Sequence, residues 1–328
     1  MGVVRSGLSQ LIKYKIIYFR TVMRLLVGFK IVTFSKIRYL LGFLIFILIF
    51  TFVDVLTVID LLWSASPCYV SLGVIFIITS IFLAGANLYL FFCPRLNMRF
   101  FDFMKKYWFS WAVGLLMPGQ VGEVASLTCI LCRSKNIDIK SCSSILLIDK
   151  LITLMVMIFF ALATTIQLKQ FEARGIVYII FFIFSTLIFI FLLCYFFKKS
   201  RLVTVFFFNK IFFYLKVHPK LILQNIFLTF VKVVLVGFSY YFMLLSIGKV
   251  DVSVVIIISL VMTSSLIAYF PLSINGLGSV ELTSITLFSY VGISSSHILA
   301  MYALTRLTVY LTASVPLFFC KDEYAKSH

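Results

Sequence analysis

A chain of 328 residues that is 62% apolar, 17% aromatic and only 12% charged cannot enclose a core behind a polar shell. Soluble domains carry roughly 25% charged and about 45–50% apolar residues, so the composition is that of a polytopic membrane protein. The formal charge of +18 does not point to nucleic acid, because the basic residues are interleaved with Phe, Leu, Ile and Tyr, as suits an anionic membrane surface.

The first 38 residues hold eight Lys/Arg, from Arg5 to Arg38, and no acid. They read as a basic amphipathic segment on the cytosolic side, 1–38. Apolar runs follow near 39–59, 70–92, 143–166, 176–197, 221–247 and 297–320, each long enough to span a bilayer. They lack the period-two alternation of a lipid-facing barrel, so helices are expected. Two further regions, 107–132 and 252–293, are interrupted midway by Pro and Gly and read as hairpins that enter and leave by one face. The expected fold is therefore all-α, a helical bundle of about six full spans plus two broken or re-entrant hairpins, giving eight or more membrane segments. A single membrane domain would occupy 39–320, its halves at about 39–197 and 221–320. The connection 198–220 carries six basic residues and no acid, and 321–328 forms a cytosolic tail.

With both termini in the cytosol, segments 1–38, 93–106, 133–142, 198–220 and the tail carry 23 of the 29 Lys/Arg. That is the asymmetry of the positive-inside rule. The outer connections hold Lys169, Arg174 and Lys249, while Lys150, Lys232 and Arg306 fall inside apolar runs. Lys232 is expected to snorkel to the cytosolic surface, and Asp54 and Asp60 to meet water at the outer end of the first span. The basic leader is too long for a signal peptide, and no small-x-small site follows the first apolar run, so cleavage is not expected. The expected location is the cytoplasmic membrane of a bacterium or archaeon.

Seven cysteines are scattered along the chain. Cys129 and Cys132 form a C-x-x-C without a second pair or a histidine at metal spacing, and the odd total argues against a disulfide framework. Neither metal nor cofactor is expected. His218 sits beside Pro219 in a basic surface stretch, and His297 begins a helix after Ser294, Ser295 and Ser296. Neither histidine reads as catalytic.

The chemistry concentrates at the two interruptions. Residues 117–127 read MPGQVGEVASL, and 270–284 read FPLSINGLGSVELTS. Pro118, Gly122 and Glu123 in the first are echoed by Pro271, Gly278 and Glu281 in the second, with Asn275 and Gly276 inside the later turn. Proline followed by glycine breaks a helix, and a glutamate then falls in the first turn of the restarted one. Asp149 and Lys150 lie in the span after Glu123, and Arg306 lies in the span after Glu281. Broken segments entered from opposite faces are the mark of inverted repeats, whose interruptions meet near the midplane and line a polar site. Backbone groups left unpaired in hydrocarbon cost several kcal/mol each, and a charge at a helix centre costs about 2.5–3.5 kcal/mol on insertion scales. Both are tolerable where the carboxylates and cations pair across the bundle. The restarted helices at 121–123 and 279–281 also present N–H groups and positive dipole ends suited to an anionic head group. A purely structural reading stays open, in which each glutamate satisfies a helix end and its cation ties hairpin to helix.

These motifs resemble the lysylphosphatidylglycerol synthase transmembrane (flippase-like) family. The resemblance rests on PGQVGE at 118–123, PLSINGLGSVE at 271–281 and the ALTR ending at Arg306, and it covers roughly 36–320. The family pattern has arginine where Val280 and Ser126 stand here, and Asp-Arg where this chain has Asp149–Lys150. The resemblance implies translocation of a polar-headed or anionic lipid, or assistance to an enzyme that makes one. It also implies that aminoacyl transfer belongs to a separate soluble domain, which this sequence does not contain, so no enzyme activity is expected. The leading expectation is a flippase-like protein with a lipid site formed by Pro118, Gly122, Glu123, Asp149, Lys150, Pro271, Asn275, Gly276, Gly278, Glu281 and Arg306. The alternatives are a non-transporting membrane partner of a lipid-synthesising enzyme or glycosyltransferase, and an integral-membrane enzyme acting on a lipid-linked substrate. The sequence does not fix the oligomeric state.

Overall fold

The structure is a computed structural model that describes residues 53–92, 98–115, 121–135, 138–167, 217–248, 251–269, 273 and 275–319. Among the described residues the elements are helical, and four helices are long and apolar enough to cross a membrane. The elements are α1 (Val55–Trp63), α2 (Pro67–Phe92), α3 (Phe100–Gly114), α4 (Val121–Lys135), α5 (Ile139–Gln167), α6 (Pro219–Ser246), α7 (Val254–Ser265), a 3-10 turn (Leu266–Tyr269), α8 (Ser279–Ser289) and α9 (Ser295–Phe319). The spanning candidates are α2, α5, α6 and α9, matching the apolar runs near 70–92, 143–166, 221–247 and 297–320. The run 176–197, Pro118 and Pro271 lie outside the described residues, as do segments 1–38, 198–216 and 320–328.

One expected span is interrupted near its end. Within the run 39–59, Asp54 adopts an extended backbone and starts a separate helix. Its carboxylate accepts from the Leu56 N–H at 3.1 Å and from the Thr57 hydroxyl at 2.7 Å. An aspartate at this position satisfies helix-end donors that a continuing helix would not leave open. Asp54 and Asp60 are exposed, as expected for the outer end. The connection expected at 133–142 is likewise shorter, because α4 runs to Lys135 and α5 starts at Ile139.

Directions follow from pairwise contacts. Ser66 N–H donates to the Ser246 carbonyl, Phe76 stacks on Phe238 and Phe242, and Asn87 bonds Thr229. Rising numbers on α2 meet falling numbers on α6, so these two run antiparallel. Gly248 faces His297, and the rings of Tyr240 and Tyr302 lie 5.1 Å apart, so α6 and α9 are antiparallel too. Asp149 meets Asn225 and Phe160 stacks on Phe230, so α5 and α6 run in the same direction.

In the first interrupted region α4 lies back along α3, with Ser126 on the Ser110 carbonyl. A Cβ on Gly114 at the end of α3 would lie 2.9 Å from Glu123 Cβ and 3.0 Å from its backbone nitrogen. Only glycine allows α3 to pass so close to the first turn of α4. In the later region α7 gives way to the 3-10 turn, and Asn275, Gly276 and Gly278 take φ values of 48°, 73° and 82°. Such left-handed backbone favours glycine and tolerates asparagine, which accounts for the INGLG composition of the turn.

Close helix packing depends on small residues, since lipid offers no hydrophobic drive between helices. A Cβ on Gly237 of α6 would meet the branched Ile258 side chain of α7 at 2.6–3.0 Å, whereas on Gly73 of α2 it would meet the flexible end of Met243. Gly237→Ala should therefore lower stability by about 1–3 kcal/mol, and Gly73→Ala by less. Thermal unfolding of the purified protein in detergent checks this, and Ile258→Ala should offset part of the Gly237→Ala loss. Equal losses at the two glycines would contradict the α6–α7 contact.

Candidate functional site

The restart of the chain at Val121 places Glu123 in the first turn of α4, 5% exposed. Its Oε2 accepts from Lys150 Nζ of α5 at 2.7 Å. Asp149, the neighbour of Lys150, points to a different helix and accepts from Asn225 Nδ2 of α6 at 3.1 Å. Asn87 of α2 donates to Thr229 Oγ1 at 3.1 Å and to the Asn225 carbonyl at 3.4 Å. One turn beyond Asp149, the Thr153 hydroxyl donates to the Asp149 carbonyl and accepts from Lys232 Nζ at 3.2 Å. Tyr107 of α3 and Tyr269 at the end of the 3-10 turn lie within electrostatic reach of Glu123 and Asp149. A buried polar cluster thus joins α2 to α6, and the later interruption reaches it through Tyr269.

The second cluster is built on the later turn. Glu281, 6% exposed, lies in the first turn of α8. Its Oε2 accepts from the Gly278 N–H at 2.7 Å, and its Oε1 accepts from Arg306 Nε of α9 at 3.0 Å. Arg306 also places Nη2 3.0 Å from that oxygen and donates from Nη1 to the Asn275 carbonyl at 3.1 Å. Gly276 approaches Ala268 and Val280 so closely that a Cβ there would lie 2.5–3.2 Å from their atoms. Below the pair, Ser284 donates to the Tyr302 hydroxyl at 2.6 Å.

The expected residues therefore divide between two ion-paired clusters. Gly122, Glu123, Asp149 and Lys150 belong to the first, while Asn275, Gly276, Gly278, Glu281 and Arg306 belong to the second. Among the described residues no hydrogen bond or ion pair joins the two. One expectation is corrected at the start of α8. Of the N–H groups expected at 279–281 as donors for a head group, that of Val280 is taken by the Gly276 carbonyl at 2.9 Å, and the N–H of Gly278 just before them by the carboxylate of Glu281, because a glutamate three residues into a helix reaches back to the capping position.

Lys232 is the second correction. It lies thirteen residues into α6, about 20 Å along the axis from the start of that helix, too deep to snorkel to the surface there. Its ammonium turns inward to Thr153 and lies within reach of Asp149, Glu123 and Lys150. The sequence signal was available: Asn225, Thr229 and Lys232 recur at i, i+4 and i+7, a polar stripe along an otherwise apolar run. Asn87, Thr153, Tyr107 and Tyr269 left no such pattern. His218 precedes Pro219 at the start of α6, and His297 Nδ1 lies 2.7 Å from Ser294 Oγ in the first turn of α9, away from both clusters.

Residues 36–316 match the model of the lysylphosphatidylglycerol synthase TM region. The chain belongs to that family. It is accordingly an integral membrane protein, and no curated protein matches it. Within the family motifs, the positions where arginine was expected are filled otherwise. Val280 is 3% exposed and packs on Gly276, leaving no space for a longer side chain. The Ser126 hydroxyl donates to the carbonyls of Ser110 and Glu123 and so ties α4 to α3.

Removing one member of a buried ion pair leaves the other charge uncompensated, at a cost of about 3–5 kcal/mol. Lys150→Met and Glu123→Gln should each lower stability strongly, and the double variant should lose much less than the two losses added. Lys232→Met should cost less than Lys150→Met, because its hydrogen-bond partner is a neutral hydroxyl. Unfolding of the four proteins in a double-mutant cycle measures the coupling, and additive losses would contradict the pair.

Proposed function

We propose that this chain binds a lipid with a polar head group and moves it between leaflets, using the two interrupted elements as an inverted repeat. The observation that carries the reading is the twofold occurrence of one device. A helix restarts with a buried glutamate in its first turn, and a cation on the following long helix holds that glutamate. Helix ends and signalling of chain direction do not require the same device twice. Charges at membrane depth are costly and mark polar pathways, and irregular backbone at that depth is tolerated where it faces protein or a watery path.

The directions of the helices support the same reading. α5 and α6 run in the same direction, and α2 and α9 run against α6. With the basic segments on the cytosolic side, α2 and α9 run inward and α5 and α6 run outward. α4 is then reached from the cytosolic side and α8 from the outer side, as in inverted repeats. Each ion pair would act as a latch: a lipid phosphate drawn to Lys150 or Arg306 competes with the glutamate, and the glutamate retakes its cation when the lipid leaves. No step in this scheme makes or breaks a covalent bond, so the chain is read as a transporter rather than an enzyme.

The test is redistribution of head-group-labelled phospholipids across liposomes that contain the purified protein. Wild-type protein should speed the movement over protein-free liposomes. Glu281→Gln and Glu123→Gln should slow it by on the order of tenfold, the scale of one charge-assisted hydrogen bond. Liposomes in which no head group moves faster with the protein present would overturn the proposal.

A further inference from the structure

The lipid-moving scheme makes no use of the cysteines, yet three of them meet at one end of the α4–α5 hairpin. Cys129 and Cys132 stand on α4, and Cys142 lies in the first turn of α5, fully buried. α4 ends at Lys135 and α5 begins at Ile139, so the connection is short and the two helices run back along each other. Glu123 and Lys150, which pair at 2.7 Å, lie fourteen and thirteen residues to either side of position 137. Cys132 and Cys142 lie five residues to either side of the same position. The ion pair thus fixes the level of one helix against the other, and at that level the two cysteines come together near the connection.

The side-chain contacts agree. The thiol of Cys142 hydrogen-bonds that of Cys132, and Thr128 and Cys129 also approach it. Positions 128, 129 and 132 share one flank of a helix, so it is this flank of α4 that meets the start of α5. The two sulfurs differ in access. Cys132 is partly exposed, whereas Cys142 is shielded behind it. A thiol that an oxidant reaches becomes a sulfenic acid, and this condenses with a thiol at its side. A buried partner is an efficient trap, because it meets no oxidant itself but touches the sulfur that does. On the topology proposed above this end of the hairpin faces the cytosol, where disulfides are transient and serve redox sensing.

We propose that Cys132 and Cys142 are a peroxide-oxidisable dithiol, whose disulfide fastens α4 to α5 beside their connection. In the first step the Cys132 sulfur attacks hydrogen peroxide. An S–O bond forms, the O–O bond breaks, and the departing oxygen leaves as water with the thiol proton. In the second step the Cys142 sulfur attacks the sulfenic sulfur. An S–S bond forms, the S–O bond breaks, and that oxygen leaves as water with the Cys142 proton. The two sulfurs together lose the electron pair that the peroxide gains. The dithiol stands without the lipid-moving reading, and only its consequence rests on that reading. Glu123–Lys150 joins the same two helices at depth, and the disulfide adds a tie that no lipid phosphate competes for. Oxidation therefore holds α4 against α5 when the latch at Glu123 opens.

The experiment uses the full chain in nanodiscs with one copy per disc, reduced, freed of reductant and exposed to hydrogen peroxide. Remaining thiols are alkylated in denaturant and the protein is digested with trypsin. Cleavage after Arg133, Lys135 and Lys140 separates the peptide 107–133, which holds Cys129 and Cys132, from 141–150, which holds Cys142. Mass spectrometry should find these two peptides joined by a bond that dithiothreitol breaks. Cys129→Ser should keep the link and Cys132→Ser should abolish it. A bond between Cys129 and Cys132, or a Cys142 that is still alkylated when Cys132 is oxidised, would overturn the dithiol. The wild-type digest needs no variant, so misfolding of one leaves the test intact. In liposomes the linked protein should move lipid severalfold more slowly than the reduced protein, with recovery on reduction, and unchanged movement in fully linked protein would overturn the clamp. A link in protein that moves no lipid in either state would keep the dithiol and remove transport, and transport without a link would do the reverse.

Discussion

Every charge that this chain carries into the apolar part of the bundle needs compensation from within, since there is no bulk water to supply it. That constraint organises the structure around Glu123–Lys150 and Glu281–Arg306. Each pair fixes a restarted helix to the long helix that follows, α4 to α5 and α8 to α9. The pairs also allow the breaks to exist, because a carboxylate near a helix start meets a favourable dipole and its remaining charge meets a cation. At Glu281 the two roles are divided between its oxygens, one on the backbone of the turn and one on the guanidinium.

The polar cluster around Asp149 is of another kind. Its members are mostly amides and hydroxyls, and they bind α2, α5 and α6 at one level. Among water-soluble cores such groups are a liability unless each is paired. In an apolar bundle they supply directional contacts that lipid cannot displace, although each is worth only about 0.6 kcal/mol on average. Their value here is positional. They hold Lys232 at a depth where a charge would otherwise not settle, with its ammonium on the Thr153 hydroxyl.

Much of this was legible in the sequence for simple reasons. Long apolar runs leave few alternatives, so α2, α5, α6 and α9 were foreseen with ends close to those observed. Charged residues are so scarce in those runs that Glu123, Lys150, Glu281 and Arg306 stood out, and their spacing to the next helix anticipated both ion pairs. What was missed depended on geometry that composition does not encode. Asp54 reads as part of an apolar run, yet its short side chain can satisfy the start of α1. Lys232 was expected to snorkel although it lies eleven residues into the run 221–247, and its inward direction shows in the bond to Thr153. That the Glu281 carboxylate closes on the Gly278 N–H of its own turn also had to be seen in the structure.

The grip of Arg306 has a mechanical corollary. Its planar fork clasps a side chain and a main-chain carbonyl of the same turn, Glu281 and Asn275, from one position on α9. A lysine could not clasp both, since its charge is a point rather than a fork. The turn and α9 therefore behave as one lever. Any rearrangement that shifts residues 275–281 either carries α9 along or breaks all the Arg306 contacts at once, and the bending must fall upstream, where α7 loosens into the 3-10 turn at Leu266–Tyr269.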